Sequence, residues 1–202
     1  METKKIKLPF KLKFPVLALG AQAKNTICFA RDDMACISPV RADLGMLKDC
    51  LAFEKDAQHF LKAKPAIIAF DLHPEYQSSR FGLSLPATYR LMPIQHHHAH
   101  IAACMVENGL SNQKVIGVAF DGTGLGVDGT LWGAEFLVCD YHKFQRRAHL
   151  KEIPLIGGEK AILEPWRLLI AWLNFPLSMD KSGLLKKIHL SRINSSLASS
   201  MG

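Results

Sequence analysis

From Pro15 onward the chain alternates short apolar runs with polar turns, and the run lengths sort the segments into strands and helices. Pro15-Val16-Leu17-Ala18-Leu19-Gly20 reads as a buried strand ending in glycine, with a turn at Ala21-Gln22-Ala23-Lys24-Asn25. Thr26–Ala30 is a second strand and, after the Asp32-Asp33 turn, Met34–Ser38 a third, which together predict an antiparallel meander. Apolar residues then fall at 44, 47, 51, 53, 57, 60 and 61, the stripe of an amphipathic helix. Pro65–Phe70 carries no polar interruption, as expected of a strand buried on both faces, and it runs into Asp71-Leu72-His73-Pro74. A short helix around Tyr76–Leu83 and a strand through Arg90–Gln95 lead to a helix that starts among histidines and stops near Gly109. The order βββαβαβα predicts an α/β fold, a mixed sheet with helices on its faces.

The second half repeats the opening. Val115–Asp121 reads as a strand, Gly122–Gly129 as a turn, Thr130–Asp140 as a second strand and Phe144–Glu152 as a third. A helix over Glu159–Asn174, a short helix near Leu184–Leu190 and a polar end over 194–202 follow, with no closing strands. Expected domains are a basic lead-in over 1–14, a first lobe over 15–112 and the start of a second lobe over 113–202. A duplicated unit whose two hairpins face each other across a cleft is the plan of the actin-like ATPases and sugar kinases, where the hairpins hold nucleotide phosphates.

Candidate chemistry concentrates in Gln95-His96-His97-His98-Ala99-His100. His96 and His100 are four apart, so a helix puts both imidazoles on one face, where they can grip one divalent metal. Asp121, at the end of an apolar run, is the candidate third ligand. Two imidazoles and a carboxylate suit zinc or iron alike. The stretch from Asp121 to Gly129 admits two readings, a tight hairpin or a set of bare backbone amides that approach an anion. Asp71 and His73 lie where open α/β sheets place ligands, although Asp71 could equally cap the next turn.

The formal charge is +7, concentrated near the ends and without the interleaved aromatics of a stacking platform, so nucleic-acid binding is not expected. With 49% hydrophobic and 21% charged residues the composition is that of a globular protein. The five cysteines are odd in number and form no C-x-x-C pair, which argues against a disulfide framework and fits a reducing compartment. No apolar stretch reaches membrane-spanning length, and the expectation is a cytoplasmic protein.

Five separated motifs, in order, resemble one family: the hydrogenase maturation carbamoyltransferase HypF, in its Kae1-like domain. They are Leu17-Ala18-Leu19-Gly20-Ala21 with Lys24-Asn25, Asp71-Leu72-His73-Pro74 with Tyr76 and Ser78, and the histidine cluster. The fourth runs from Asp121-Gly122-Thr123-Gly124 through Asp128-Gly129-Thr130-Leu131-Trp132-Gly133-Ala134-Glu135-Phe136, and the fifth is Gly157-Gly158 with Glu164-Pro165-Trp166-Arg167. Ala134 stands where the family usually has a second glycine.

The resemblance implies an actin-like, ribonuclease H-like fold with the first lobe complete and the second incomplete. It also implies carbamoyl-adenylate, made from carbamoyl phosphate and ATP in a YrdC-like domain outside this sequence, as the bound intermediate. The carbamoyl group would pass to the C-terminal cysteine of the partner HypE, for the cyanide ligands of [NiFe]-hydrogenase. His96, His100 and Asp121 would hold the metal. Lys24, Asn25, Gly122, Thr123, Gly124, Gly126, Asp128 and Gly129 would contact the nucleotide. No side chain is expected to act as a covalent nucleophile. The chain alone is expected to be inactive, and the rival expectation is a metal- or nucleotide-binding remnant without turnover.

Overall fold

The computed structural model describes residues 3–158 and 160–174, so the expected helix near Leu184–Leu190 and the polar end lie outside the described residues. The chain packs as two compact units, Met1–Leu150 and Lys151–Gly202. The first opens with β1 (Lys4–Lys7), β2 (Val16–Ala18), β3 (Ala23–Asn25), β4 (Cys28–Arg31), β5 (Met34–Ile37) and β6 (Arg41–Asp43). Next come α1 (Leu47–Leu61), β7 (Ile67–Asp71), α2 (Gln77–Leu83), β8 (Arg90–Ile94) and α3 (His96–Glu107). A separate antiparallel sheet of β9 (Val115–Leu125), β10 (Leu131–Cys139) and β11 (Phe144–His149) completes the unit.

The main sheet has the order β1-β5-β4-β2-β7-β8. β2, β7 and β8 are parallel neighbours, and α2 is the crossover that parallel β7 and β8 require. Leu17, Leu19, Ile27, Phe53, Phe60, Ile68 and Phe70 form the core between this sheet and its helices. Of the apolar stripe of α1, Phe53, Ala57 and Phe60 are buried, while Leu47 and Leu51 face outward. A second core joins α3, through Ile101 and Met105, to Trp132, Leu137 and Cys139 of the smaller sheet. Each such side chain contributes about 1.5–3 kcal/mol by leaving water. α3 is therefore clamped along one face and cannot rotate its histidines freely.

Four features correct the sequence reading. The basic lead-in, expected apart from the first lobe, joins its sheet: Lys4–Lys7 is an edge strand on β5, its lysines protecting the open edge. The turn at 21–25 contains β3, which pairs with β6 in a two-stranded ribbon. The glycine stretch after Asp121 is not a loop but the continuation of β9 as far as Leu125. In the second unit, the helix expected over Glu159–Asn174 is two, α4 (Lys160–Leu163) and α5 (Trp166–Asn174). Pro165 disfavours helical backbone at Glu164 and splits them. Among the described residues no helix is long and apolar enough to cross a membrane.

Candidate metal centre

Two registers bring the site together. β7 and β8 run parallel with Asp71 opposite Ile94, and α3 starts two residues later, so its first turn begins beside the carboxylate that ends β7. His96 Nδ1 lies 2.6 Å from Asp71 Oδ2. The second register is broken. Phe120 pairs with Ala134 and Gly124 with Trp132, leaving Asp121, Gly122 and Thr123 opposite Gly133 alone. A bulge of this kind re-aims side chains, and this one delivers Asp121 to the histidines.

Asp121 Oδ2 lies 3.1 Å from His96 Nε2 and 3.7 Å from His100 Nε2, and the two ring nitrogens are 3.2 Å apart. The point equidistant from these three atoms is about 1.9 Å from each, against metal–nitrogen and metal–oxygen bonds of about 2.0–2.2 Å. The triad His96, His100 and Asp121 thus has the dimensions of one face of a metal's coordination shell. Asp121 Oδ2 is also buried without a hydrogen-bond partner, an orphaned anionic oxygen of the kind an ion satisfies. The residues fit a divalent metal.

Electrostatics point the same way. Asp121 and Asp71, one at each ring nitrogen, hold the His96 imidazole protonated up to about 9. His100 and His96 in turn hold the Asp121 carboxyl well below the usual carboxylate range. A proton on His96 Nε2 stands where a cation would, and a metal must displace it. Asp71 then keeps the Nδ1 proton, fixing the ring so that the Nε2 lone pair faces inward, the carboxylate–histidine arrangement of many metal sites.

The other two histidines do different work. Burial lowers the pKa of His97, whose ring is 0% exposed. His98 turns away and donates from Nε2 to the Asp140 carbonyl at 2.7 Å, tying α3 to the turn between β10 and β11. Gln95 caps α3 by accepting the His98 N–H.

A cavity of about 360 Å³ opens beside the triad at the carboxyl ends of β2 and β7. Its walls include Gly20, Ala21, Asp71, His96, Ala99 and His100. The residues expected to touch a nucleotide are placed less uniformly. Lys24 is exposed and held in the left-handed region at φ +48°, a strained backbone for a side chain of its kind. Asn25 is buried, and its amide donates to the Leu19 and Ala21 carbonyls, so it builds the hairpin and has no donor left for a phosphate. Asp128 accepts from Thr130 and from Trp132 Nε1, which makes it the brace of its turn and lowers its pKa to about 2.

Gly124 is required for packing, since a Cβ there would lie 2.8 Å from both His96 Cβ and His97 Cε1. A Cβ on Gly126 would strike the Trp132 ring, and Gly129 supplies a φ of +78° at the turn. Gly122 and the half-buried Thr123 stay in the bulge, where Gly122 N–H donates to Asp121 Oδ1 at 2.8 Å. Asn25, Gly124 and Asp128, expected to contact a nucleotide, thus also build the site.

Comparison with known proteins agrees with this architecture. Residues 11–107 match the family described as the HypF Kae1-like domain, and residues 117–202 match "Carbamoyltransferase, Kae1-like Domain, second subdomain". The chain belongs to the HypF carbamoyltransferase family. It is 40% identical to carbamoyltransferase HypF2 of Cupriavidus necator over 93% of its own length and 25% of that protein's. To HypF of Synechocystis it is 36% identical over 95% of its length and 27% of that protein's. The chain therefore spans about a quarter of these HypF proteins. Two solved structures superpose with a TM-score of 0.78: full-length HypF in its phosphate- and nucleotide-bound form (40% identity, 87% of this chain and 28% of that one) and T. kodakarensis HypF (33%, 95% and 26%). The Kae1-like α/β fold, with its mixed sheet, is shared with them.

Sequence reasoning left Asp71 between a cap and a functional group, and it missed Gln95 and His97. In the structure Asp71 Oδ1 caps the turn by accepting the His73 N–H at 2.9 Å, while Oδ2 faces His96. A glutamine immediately before a helical histidine pair was the one local signal for Gln95, because that is the N-cap position.

Proposed function

We propose that this chain is the metal-holding part of a carbamoyltransferase. In this reading it binds a divalent metal, zinc or iron, through His96, His100 and Asp121. It holds carbamoyl-adenylate beside that site and presents the carbamoyl group to the C-terminal cysteine of a HypE partner. The observation that carries the reading is the His96–His100–Asp121 triad, with edges of 3.1–3.7 Å around an unpartnered carboxylate oxygen.

When bound, a divalent ion supplies positive charge and a Lewis acid next to the adenylate phosphate. The protein's own part is positional. Asp71 orients His96, the bulge at Asp121–Thr123 presents Asp121, and the clamped face of α3 keeps His100 one turn from His96. The cavity beside them has room for a small group, and the exposed Lys24 supplies a cation for a phosphate. The acceptor thiolate attacks the carbamoyl carbon, the new C–S bond forms, and the carbamoyl–oxygen bond to AMP breaks. A nucleophile from this chain is not required. Burial pushes the Cys28 thiol up to about 11, so it stays protonated at neutral pH. The phosphate- and nucleotide-bound state of the HypF structure above supports the nucleotide part of the reading.

Metal analysis of the purified chain tests it. About one zinc or iron per chain is expected in the wild type, and essentially none in His96→Ala with His100→Ala. Equal metal in both proteins would refute the site.

A further inference from the structure

Three consecutive histidines open α3, yet only one of them belongs to the triad; the state of the middle one is set by Gln95. The orientation of the Gln95 amide is fixed twice. Its Oε1 accepts the His98 backbone N–H at 2.9 Å, and its Nε2 donates to the Leu125 carbonyl at 3.3 Å. A reversed amide would oppose N–H to N–H and oxygen to oxygen. The same Nε2 lies 3.1 Å from His97 Nδ1, so that nitrogen accepts. An accepting nitrogen carries a lone pair, which leaves the ring neutral with its proton on Nε2. That Nε2–H is buried without a partner, as is Asp121 Oδ2, and the two are 3.9 Å apart.

We propose that His97, locked by Gln95 in its Nε2–H form, is a positioning residue that donates to Asp121 Oδ2 and is thereby kept out of the metal's ligand set. The inference rests on the metal site proposed above. A protonated nitrogen cannot ligate, which explains how a run of imidazoles presents a defined pair to an ion. The carboxylate oxygen has two lone pairs, one for the ion and one for the His97 N–H. The 3.9 Å separation is longer than a hydrogen bond, and a movement of about 1 Å closes it. Asp121 is the partner that moves. It sits in a bulge, whereas the His97 ring is held by Gln95 on one edge and packs on Gly124 at the other side. Such outer contacts fix the geometry of a ligating carboxylate as Asp71 fixes that of His96.

Two measurements on the full chain decide it. Long-range 1H–15N spectra of the metal-free wild type read the tautomer directly, with a protonated Nε2 and a bare Nδ1 expected for His97. A proton on Nδ1 overturns the proposal, and needs no variant. With zinc added, X-ray absorption at the zinc edge should count two imidazoles in the wild type, in His97→Leu and in His97→Gln. Zinc affinity should fall about 10–100-fold in His97→Leu, and stay within about threefold in His97→Gln, which keeps an N–H donor. Loss of an imidazole in either variant would make His97 a ligand and overturn the proposal, as would equal affinity in all three proteins. If the wild type takes up no zinc, the metal reading fails and the positioning role with it, while the spectra still show whether Gln95 sets His97.

Discussion

Metal uptake by this chain should be a competition with one proton. His96 keeps that proton up to about 9 because Asp121 and Asp71 face its two nitrogens, against about 6.5 for an ordinary imidazole. A metal needs the Nε2 lone pair, so binding expels the proton. Below about 9 the site is mostly protonated, and the apparent affinity rises about tenfold per pH unit; above it the affinity levels off. From pH 7 to 9 the gain is therefore about fiftyfold, or about 2.3 kcal/mol. An unperturbed histidine pair would level near 6.5.

Zinc competition against a chromophoric chelator between pH 6 and 9.5 measures the slope. Calorimetry at pH 7.5 in two buffers of different ionisation enthalpy counts the proton, with a value near one expected. A plateau already reached by pH 7, or no proton released, would show that His96 is not the cation described here. The metal-free fold should respond in the opposite sense. A histidine with a raised pKa contributes stability that is complete below about 6.5 and is lost as pH rises through about 9. Asp121, whose pKa is depressed, contributes above about 3.9 and loses its contribution as the solution is acidified. Thermal unfolding of metal-free protein should thus decline from pH 6.5 to 9, while zinc-loaded protein gains.

Two further outcomes follow from packing. Gly124→Ala forces a methyl into His96 and His97 and should cost about 1–3 kcal/mol in denaturant unfolding, with weaker zinc binding than an alanine at the exposed Gly122 produces. Arg146→Leu should lower stability by about 3 kcal/mol, because the buried Glu135 then loses donors at 2.7 and 2.8 Å; adding Glu135→Leu should recover part of the loss, and a double variant as unstable as the single would refute the pair's role.

The local pattern determined much of this protein. Runs such as Val16–Ala18 and Ile67–Asp71 form strands because β-branched and apolar residues without polar interruption fit a sheet covered on both faces. The four-residue spacing of His96 and His100 placed two imidazoles on one helical face before any neighbour was known. The ends of two apolar runs marked Asp71 and Asp121 as candidate carboxylates. These are properties of period and spacing, which a linear chain carries within itself.

Tertiary structure decided what each of those groups does. Asp71 meets His96 only because β8 lies parallel to β7 in a register that starts α3 beside it, and register depends on residues far apart in sequence. The glycines after Asp121 read either as a tight hairpin or as a phosphate loop, since a bare backbone is common to both uses. Their place in β9 against α3 shows that Gly124 is there to let His96 and His97 approach. Asn25 and Asp128 carry suitable donors and acceptors for a ligand, but the folded hairpins use them internally. Of the three adjacent histidines, spacing to His100 singles out His96, but nothing along the chain separates the roles of His97 and His98. A glutamine amide pinned by two backbone groups, one of them on a strand thirty residues away, makes His97 a donor. Hydrogen-bond direction is a property of assembled neighbours, and no spacing along the chain contains it.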